Sequence, residues 1–198
     1  RPTAEILFAA QREIFGDSAL YYHLISVALH IFAALMLFRL VVKIASDTEL
    51  AGLSSAIFAV HPVSTESVAW ISGQMSLVSG FLSIAVMLVL FSPRVRARPA
   101  LLLSGMIVGL GAYENFAMTC LTCLTACAAQ IVLRWDVLRI ADRPRDRVIC
   151  CVAPLIALIA YASWRHTNFG LGSGYHSVTT SLQAVVVDAA YYVYLILG

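Results

Sequence analysis

Charged residues are scarce in this chain. Asp, Glu, Lys and Arg together make up 12% of the 198 residues, where a soluble domain carries roughly 25%. With 61% hydrophobic residues, there is too little polar surface to wrap a water-soluble core. Lysine is almost missing, Lys43 being the single one. No basic face with interleaved aromatics is present, so nucleic acid is not an expected partner. The start, Arg1-Pro2, lacks the basic, apolar and small-residue regions of a signal peptide. The end, Leu197-Gly198, falls inside an apolar run, so the expectation is an internal piece of a longer protein. A disulfide or metal framework is missing too. The 5 cysteines include Cys120, Cys123 and Cys127 at i, i+3 and i+7 of an apolar stretch, and Cys150-Cys151 at the start of another. No second Cys pair and no following His completes a metal set, so these thiols read as small packing residues between helices.

Long apolar runs are what the chain does have. A spanning helix needs about 20 apolar residues. Leu20 to Val42 qualifies, interrupted by His23, His30 and Arg39. Leu50 to Val60 is apolar but short, and Val68 to Phe91 is long enough to span. The stretch from Ala100 to Leu133 is broken by Tyr113-Glu114-Asn115 and reads as two crossings. Val148 to Trp164 and Ser181 to Gly198 complete an all-α, polytopic membrane bundle of about seven transmembrane segments. Residues 1–19 form a separate lead-in: Leu7, Ala10 and Ile14 share one face, while Glu5, Gln11, Arg12 and Glu13 are polar. That pattern predicts an amphipathic helix in the outer interface, followed by the membrane domain, residues 20–198.

Arginine placement orients the bundle. Arg39, Lys43, Arg94, Arg96, Arg98, Arg134, Arg139, Arg143, Arg145 and Arg147 fall on one side, and Arg1, Arg12 and Arg165 on the other. The richer side is cytoplasmic by the positive-inside rule. The expected location is a multi-pass protein of a bacterial inner membrane, with its polar site facing the periplasm. Eleven residues of helix cover only ~16 Å of a ~30 Å hydrocarbon core. The short segments therefore end below the outer surface, and irregular backbone there must line a wet cavity or lie buried in protein. The expected cavity is floored by His61-Pro62 and Glu114.

In the segment from His61 to Gly73, Pro62 ends one helix, Ser64 or Thr65 is the expected cap of the next, and Glu66 suits its positive N-terminus. The depth of the segment adds a cavity role to that capping role. His61-Pro62-Val63 with Glu66-Ser67-Val68-Ala69-Trp70 resembles the His-Pro-Val-x-x-Glu-Ser-Val-Ala-Trp segment of transmembrane glycosyltransferases with the GT-C fold. It is most similar to the protein O-mannosyltransferase-like group that often carries tetratricopeptide repeats. Arg1-Pro2, Phe15-Gly16, Tyr22-His23-Leu24, His30 and Glu114 match the same group, and the resemblance covers most of residues 1–135. It implies a GT-C-like core and transfer of a sugar from a polyprenyl-phosphate donor to an acceptor hydroxyl on the non-cytoplasmic side. An aspartate in a first outer loop, which precedes Arg1 here, would accept the hydroxyl proton. His61, Glu66 and Glu114 would line the donor pocket.

The sequence departs from that pattern in several places. Gly73-Gln74-Met75-Ser76 stands where the family has Gly-Arg-x-Asp, Tyr113 where it has Lys, and Ser26 where an Asn is common. Either the chain is a catalytically inactive relative serving as a subunit of a larger membrane complex, or it is a divergent enzyme using Arg165, His166 or His176. His23 and His30, seven residues apart, could ligate a haem or chlorophyll metal, but packing and hydrogen bonding is the preferred reading. Asp188, among apolar residues of the last segment, needs a partner or the cavity. Gly105-x-x-x-Gly109 reads as a close helix contact. Gly170 to Gly174 reads as outer-loop backbone rather than a dinucleotide fingerprint.

Overall fold

Turn-forming residues cut the apolar chain into helices, and the computed structural model describes residues 2–92, 98–132 and 144–169. Among them are helices α1 (Pro2–Phe15), α2 (Ala19–Ala45), α3 (Thr48–Val60), α4 (Val63–Ala69), α5 (Gln74–Leu90), α6 (Arg98–Ala112), α7 (Phe116–Val132) and α8 (Pro144–Phe169), with a single 3-10 turn at Ile71–Gly73. No strand occurs among the described residues. The chain divides into Arg1–Tyr161, which holds the helical bundle, and Ala162–Gly198, whose described residues are the last turns of α8.

Local chemistry explains the joints. Gly16 takes φ +62°, the left-handed geometry that glycine adopts without cost, and donates its N–H to Arg12 O at 2.8 Å to close α1. Ser46 closes α2 the same way at φ 56°, its N–H reaching Val42 O at 2.9 Å. Asp47 then caps α3, its Oδ1 accepting from the N–H groups of Glu49 (2.9 Å) and Leu50 (3.0 Å). A two-residue joint of this kind forces α3 back along α2, and the two helices pack together.

The run from Val68 to Phe91 is not one continuous helix. It breaks at Trp70, whose backbone is extended at φ −94°, ψ 129°. The cause is a close approach: a Cβ on Gly73 would lie 2.9 Å from Ser67 Cα and 3.0 Å from Ser67 O. Glycine at 73 lets the chain fold tightly over the backbone of α4 before α5 begins. The Tyr113–Asn115 break falls where the sequence placed it, between α6 and α7.

The core lies where α5, α6, α7 and α8 meet, around Leu90, Leu102, Met106, Phe116, Cys123 and Ala153. Gly105 and Gly109 act as close-contact positions. A Cβ at Gly105 would come 2.9 Å from the Val86 side chain, and one at Gly109 would collide with the Phe116 ring. The cysteines pack as expected: all are free, and Cys120, Cys123, Cys127 and Cys150 are buried. The outside stays apolar, with Phe32, Leu35, Leu53 and Val60 more than half exposed. Two helices, Ala19–Ala45 and the 20 residues Ile71–Leu90, are long and apolar enough to cross a membrane. The helices Thr48–Val60, Pro99–Ala112, Phe116–Gln130 and Cys150–Trp164 are apolar but shorter. The Ser181–Gly198 segment lies outside the described residues.

The face that α1 buries in the protein is not the Leu7, Ala10 and Ile14 face. Ala4 and Gln11 are buried with Phe8 and Phe15 half-buried beside them, whereas Ala10 and Ile14 stay exposed. Gln11 thus leaves the polar face, on which Glu5, Arg12 and Glu13 remain exposed. The protein takes one arc of the helix, and the apolar Ile6, Ala10 and Ile14 lie exposed on a second arc next to it.

Candidate functional site: a polar turn set below one end of the bundle

The His61-Pro62 turn is built by its own imidazole. Pro62 supplies no N–H, and His61 Nδ1 accepts from the N–H of Val63 at 3.2 Å, satisfying a donor at the start of α4. The neutral ring therefore carries its proton on Nε2. This replaces the cap expected from Ser64 or Thr65. Ser64 Oγ instead donates back to His61 O at 2.7 Å, and no side chain of the Pro62 cap position bonds the helix. His61, Thr65 and Glu66 are exposed, and Glu66 has no ion-pair partner among the described residues.

The depth of this turn follows from contacts between helices. His30 Nε2 donates to Ala59 O at 3.1 Å, and its ring stacks on Phe58 at 5.2 Å. The carbonyl of Ala59 belongs to the last turn of α3 and has no partner within that helix. His30 thus fixes where α3 stops against α2. Eleven residues separate Ala19 from His30, so the His61-Pro62 turn sits about 16 Å along α2 from the end at which α2 begins, here the near end.

Glu114 reaches the same depth by an independent route. Helices α2 and α5 run in one direction, tied by Gln74–Ser26 (3.3 Å) near the start and Lys43–Ser92 (2.7 Å) at the far end, pairs that are 48 and 49 residues apart. Helix α7 runs parallel to α5 with a 36-residue register, fixed by Ser83–Thr119 (2.7 Å) and Met87–Cys123 (4.0 Å). The first register carries His30 to Val78 or Ser79, and the second carries Glu114 to Val78. The turn holding Glu114 and the His61-Pro62 turn are therefore level, both recessed from the near end. Glu114 is half-buried and has an interaction partner of its own.

A polar ladder climbs α2 above that level. Ser26, fully buried, donates to Tyr22 O at 3.1 Å. Gln74, also fully buried, donates from Nε2 to Ser26 Oγ at 3.3 Å and to Tyr22 O at 3.4 Å. Gln74 and Ser26, two of the positions at which the sequence departs from the pattern it resembles, thus touch each other. His23 is half-buried on the neighbouring strip of α2 and makes no hydrogen bond among the described residues. No group of three or more His, Cys, Asp or Glu with metal-binding geometry occurs among the described residues. Arg165 lies in α8, while His176 and Asp188 lie outside the described residues. The Gln11, Ser26 and Gln74 positions were not singled out as site residues from sequence, because uncharged polar side chains in an apolar run give no signal of burial or pairing.

The features so far define an all-helical, apolar-surfaced domain with a recessed polar turn. Over 91 residues the chain is 32% identical to a protein O-mannosyl-transferase of Caenorhabditis elegans, a match that covers 44% of this chain and 13% of that protein. The similarity is to a small part of a much longer enzyme. No family model matches the chain. No solved structure matches it.

Proposed function

We propose that this chain is a multi-pass membrane domain of GT-C type that accepts a polyprenyl-phosphate-linked sugar at the near end of the bundle, on the non-cytoplasmic side. The observation that carries the reading is the common depth of the His61-Pro62 turn and the Glu114 turn, with Glu66 in the short helix α4 that follows the first of them. Ionisable side chains on turns set about 16 Å along α2 from the near end are unfavourable against lipid tails and favourable beside a wet, polar substrate. The likeness to an O-mannosyl-transferase supplies the reaction class.

In this reading the acceptor hydroxyl oxygen attacks the anomeric carbon. The bond from that carbon to the phosphate oxygen breaks, the lipid phosphate leaves with the electron pair, and the hydroxyl proton passes to a carboxylate base. The chain's own part is to hold the donor. His61 presents Nε2–H, its other nitrogen being occupied by Val63, and is suited to a phosphate oxygen. Glu66 and Glu114 accept hydrogen bonds from hydroxyl groups.

A second reading is supported by Gln74. It is buried and tied to Ser26 and Tyr22, a neutral side chain where the resembled pattern has an Arg. An inactive relative that serves as a subunit of a membrane complex would need no such charge. Sugar transfer from a polyprenyl-phosphate donor by the purified full-length protein separates the two. The transferase reading expects turnover that falls at least tenfold in Glu66→Gln. Turnover equal to wild type removes Glu66 from the pocket, and no turnover at all leaves the subunit reading.

A further inference from the structure

The far end of α2 carries two cations without a counter-charge. Ile31, Leu35, Arg39 and Lys43 follow one another at intervals of four, so they share an outward strip of the helix. Ile31 and Leu35 are 53% and 57% exposed, and Arg39 and Lys43 are exposed beyond them. Arg39 makes no hydrogen bond or ion pair among the described residues. Lys43 is held to the residue just past α5, its Nζ donating to Ser92 Oγ at 2.7 Å. Ser92 Oγ gives its own proton to Leu88 O, so it meets the ammonium as a neutral acceptor and leaves the charge uncompensated. The nearest acids in sequence, Asp47 and Glu49, belong to the start of α3. Helix α3 packs on the His30 side of α2. Arg39 lies nine residues past His30, about two and a half turns, and so on the opposite side.

Depth identifies the partner. Helix α2 is long and apolar enough to cross a membrane. Twenty residues separate Ala19 from Arg39, which is ~30 Å of helix and matches the hydrocarbon core of a bilayer. With the start of α2 at one boundary, Arg39 reaches the other, and Lys43 stands one turn further out, among the headgroups. Snorkelling and the C-terminal dipole of the helix favour cations there, but neither calls for an ammonium fixed between two helices. A fixed ammonium one turn from a second cation is suited to grip one anion from two sides, and the apolar strip beneath suits an anion that brings acyl chains. We propose that Arg39 and Lys43 form a site for the phosphate of an anionic phospholipid, with Ser92 positioning the ammonium and the lipid chains lying along Leu35 and Ile31. The site is at the opposite end of α2 from the proposed donor pocket and does not depend on it.

The test reconstitutes the full-length protein in mixed phosphatidylcholine and phosphatidylglycerol vesicles, extracts it in mild detergent and counts the retained lipids by native mass spectrometry. Wild type should retain phosphatidylglycerol in preference, and Arg39→Gln and Lys43→Gln should each lower that preference about fivefold. Both positions are exposed, so both variants should melt with wild type. Ser92→Ala keeps every charge but releases the ammonium, and it should lower the preference as well. Arg12→Gln, near the start of the chain, should leave it unchanged. Equal retention of the two lipids by wild type overturns the inference, as does an unchanged preference in both Gln variants. A loss in the Gln variants with Ser92→Ala equal to wild type is the pattern of a diffuse charge effect and overturns it too. Displacement of the lipid by glycerol phosphate as effective as that by short-chain phosphatidylglycerol would show a soluble-anion site instead, with the same consequence.

Discussion

Gly73 and Gly80 offer a paired substitution with opposite expected signs. Neither residue has positive φ, so the two differ in surroundings and not in backbone demand. A methyl group on Gly73 would meet Ser67 Cα at 2.9 Å, Ser67 O at 3.0 Å and Glu66 O at 3.2 Å. All three are backbone atoms, so no rotamer change relieves the clash, and α4 itself must shift. Overpacking of this kind costs about 1–3 kcal/mol. At Gly80 nothing lies within 4 Å of the added carbon, and the residue sits inside α5. There Ala gains up to about 1 kcal/mol of helix propensity. Thermal unfolding in detergent, followed by circular dichroism, should therefore rank Gly80→Ala at or above wild type and Gly73→Ala below it. Because the shifted backbone includes Glu66, donor binding should weaken in Gly73→Ala and hold in Gly80→Ala. Gly73→Ala melting with wild type would refute the tight turn over α4, and with it the placement of Glu66.

Further outcomes follow from the same joints. Ser46 holds a left-handed backbone that costs a non-glycine residue roughly 1–2 kcal/mol, so Ser46→Gly should raise stability by about 1 kcal/mol in chemical unfolding. Asp47→Ala removes both bonds to the first turn of α3 and should lower stability by about 1 kcal/mol. His30→Leu keeps apolar contact with Phe58 but leaves the Ala59 carbonyl unpaired, which should cost about 1–3 kcal/mol. It should also raise hydrogen exchange in the last turn of α3 and at the His61-Pro62 joint.

Much of the helical order was legible in the sequence, because each boundary is written in local chemistry. Gly16, Pro62 and Tyr113-Glu114-Asn115 interrupt apolar runs where the helices in fact end, and Gly105 and Gly109 mark a close contact that the Val86 and Phe116 side chains fill. The number and direction of membrane crossings are an expectation from the sequence; among the described residues two helices have the length and apolarity to span. The break at Trp70 was invisible, because it depends on Gly73 meeting the backbone of α4 and not on a breaker in the run. The His61 cap was missed because hydroxyl residues stood in the usual capping positions while the ring of the preceding residue reached the helix first. The Gln74–Ser26 tie joins residues 48 positions apart, beyond any local pattern. Gln11 illustrates the same limit: its place in α1 suits a polar face, yet it is buried in a helix that packs against α6, a contact no local pattern announces.

The claim on which the site depends is the recessed, outward-facing position of the His61-Pro62 turn. Labelling of His61→Cys and Thr65→Cys by a membrane-impermeant maleimide, in sealed vesicles of each orientation, measures it most directly. Ser18→Cys, just before α2, provides the surface reference, and the native cysteines, four of which are buried, set the background. The expected result is labelling of all three from the non-cytoplasmic face, with both turn positions reacting more slowly than Ser18→Cys. Labelling of the turn from the cytoplasmic face, or at the rate of the surface reference, would contradict the account.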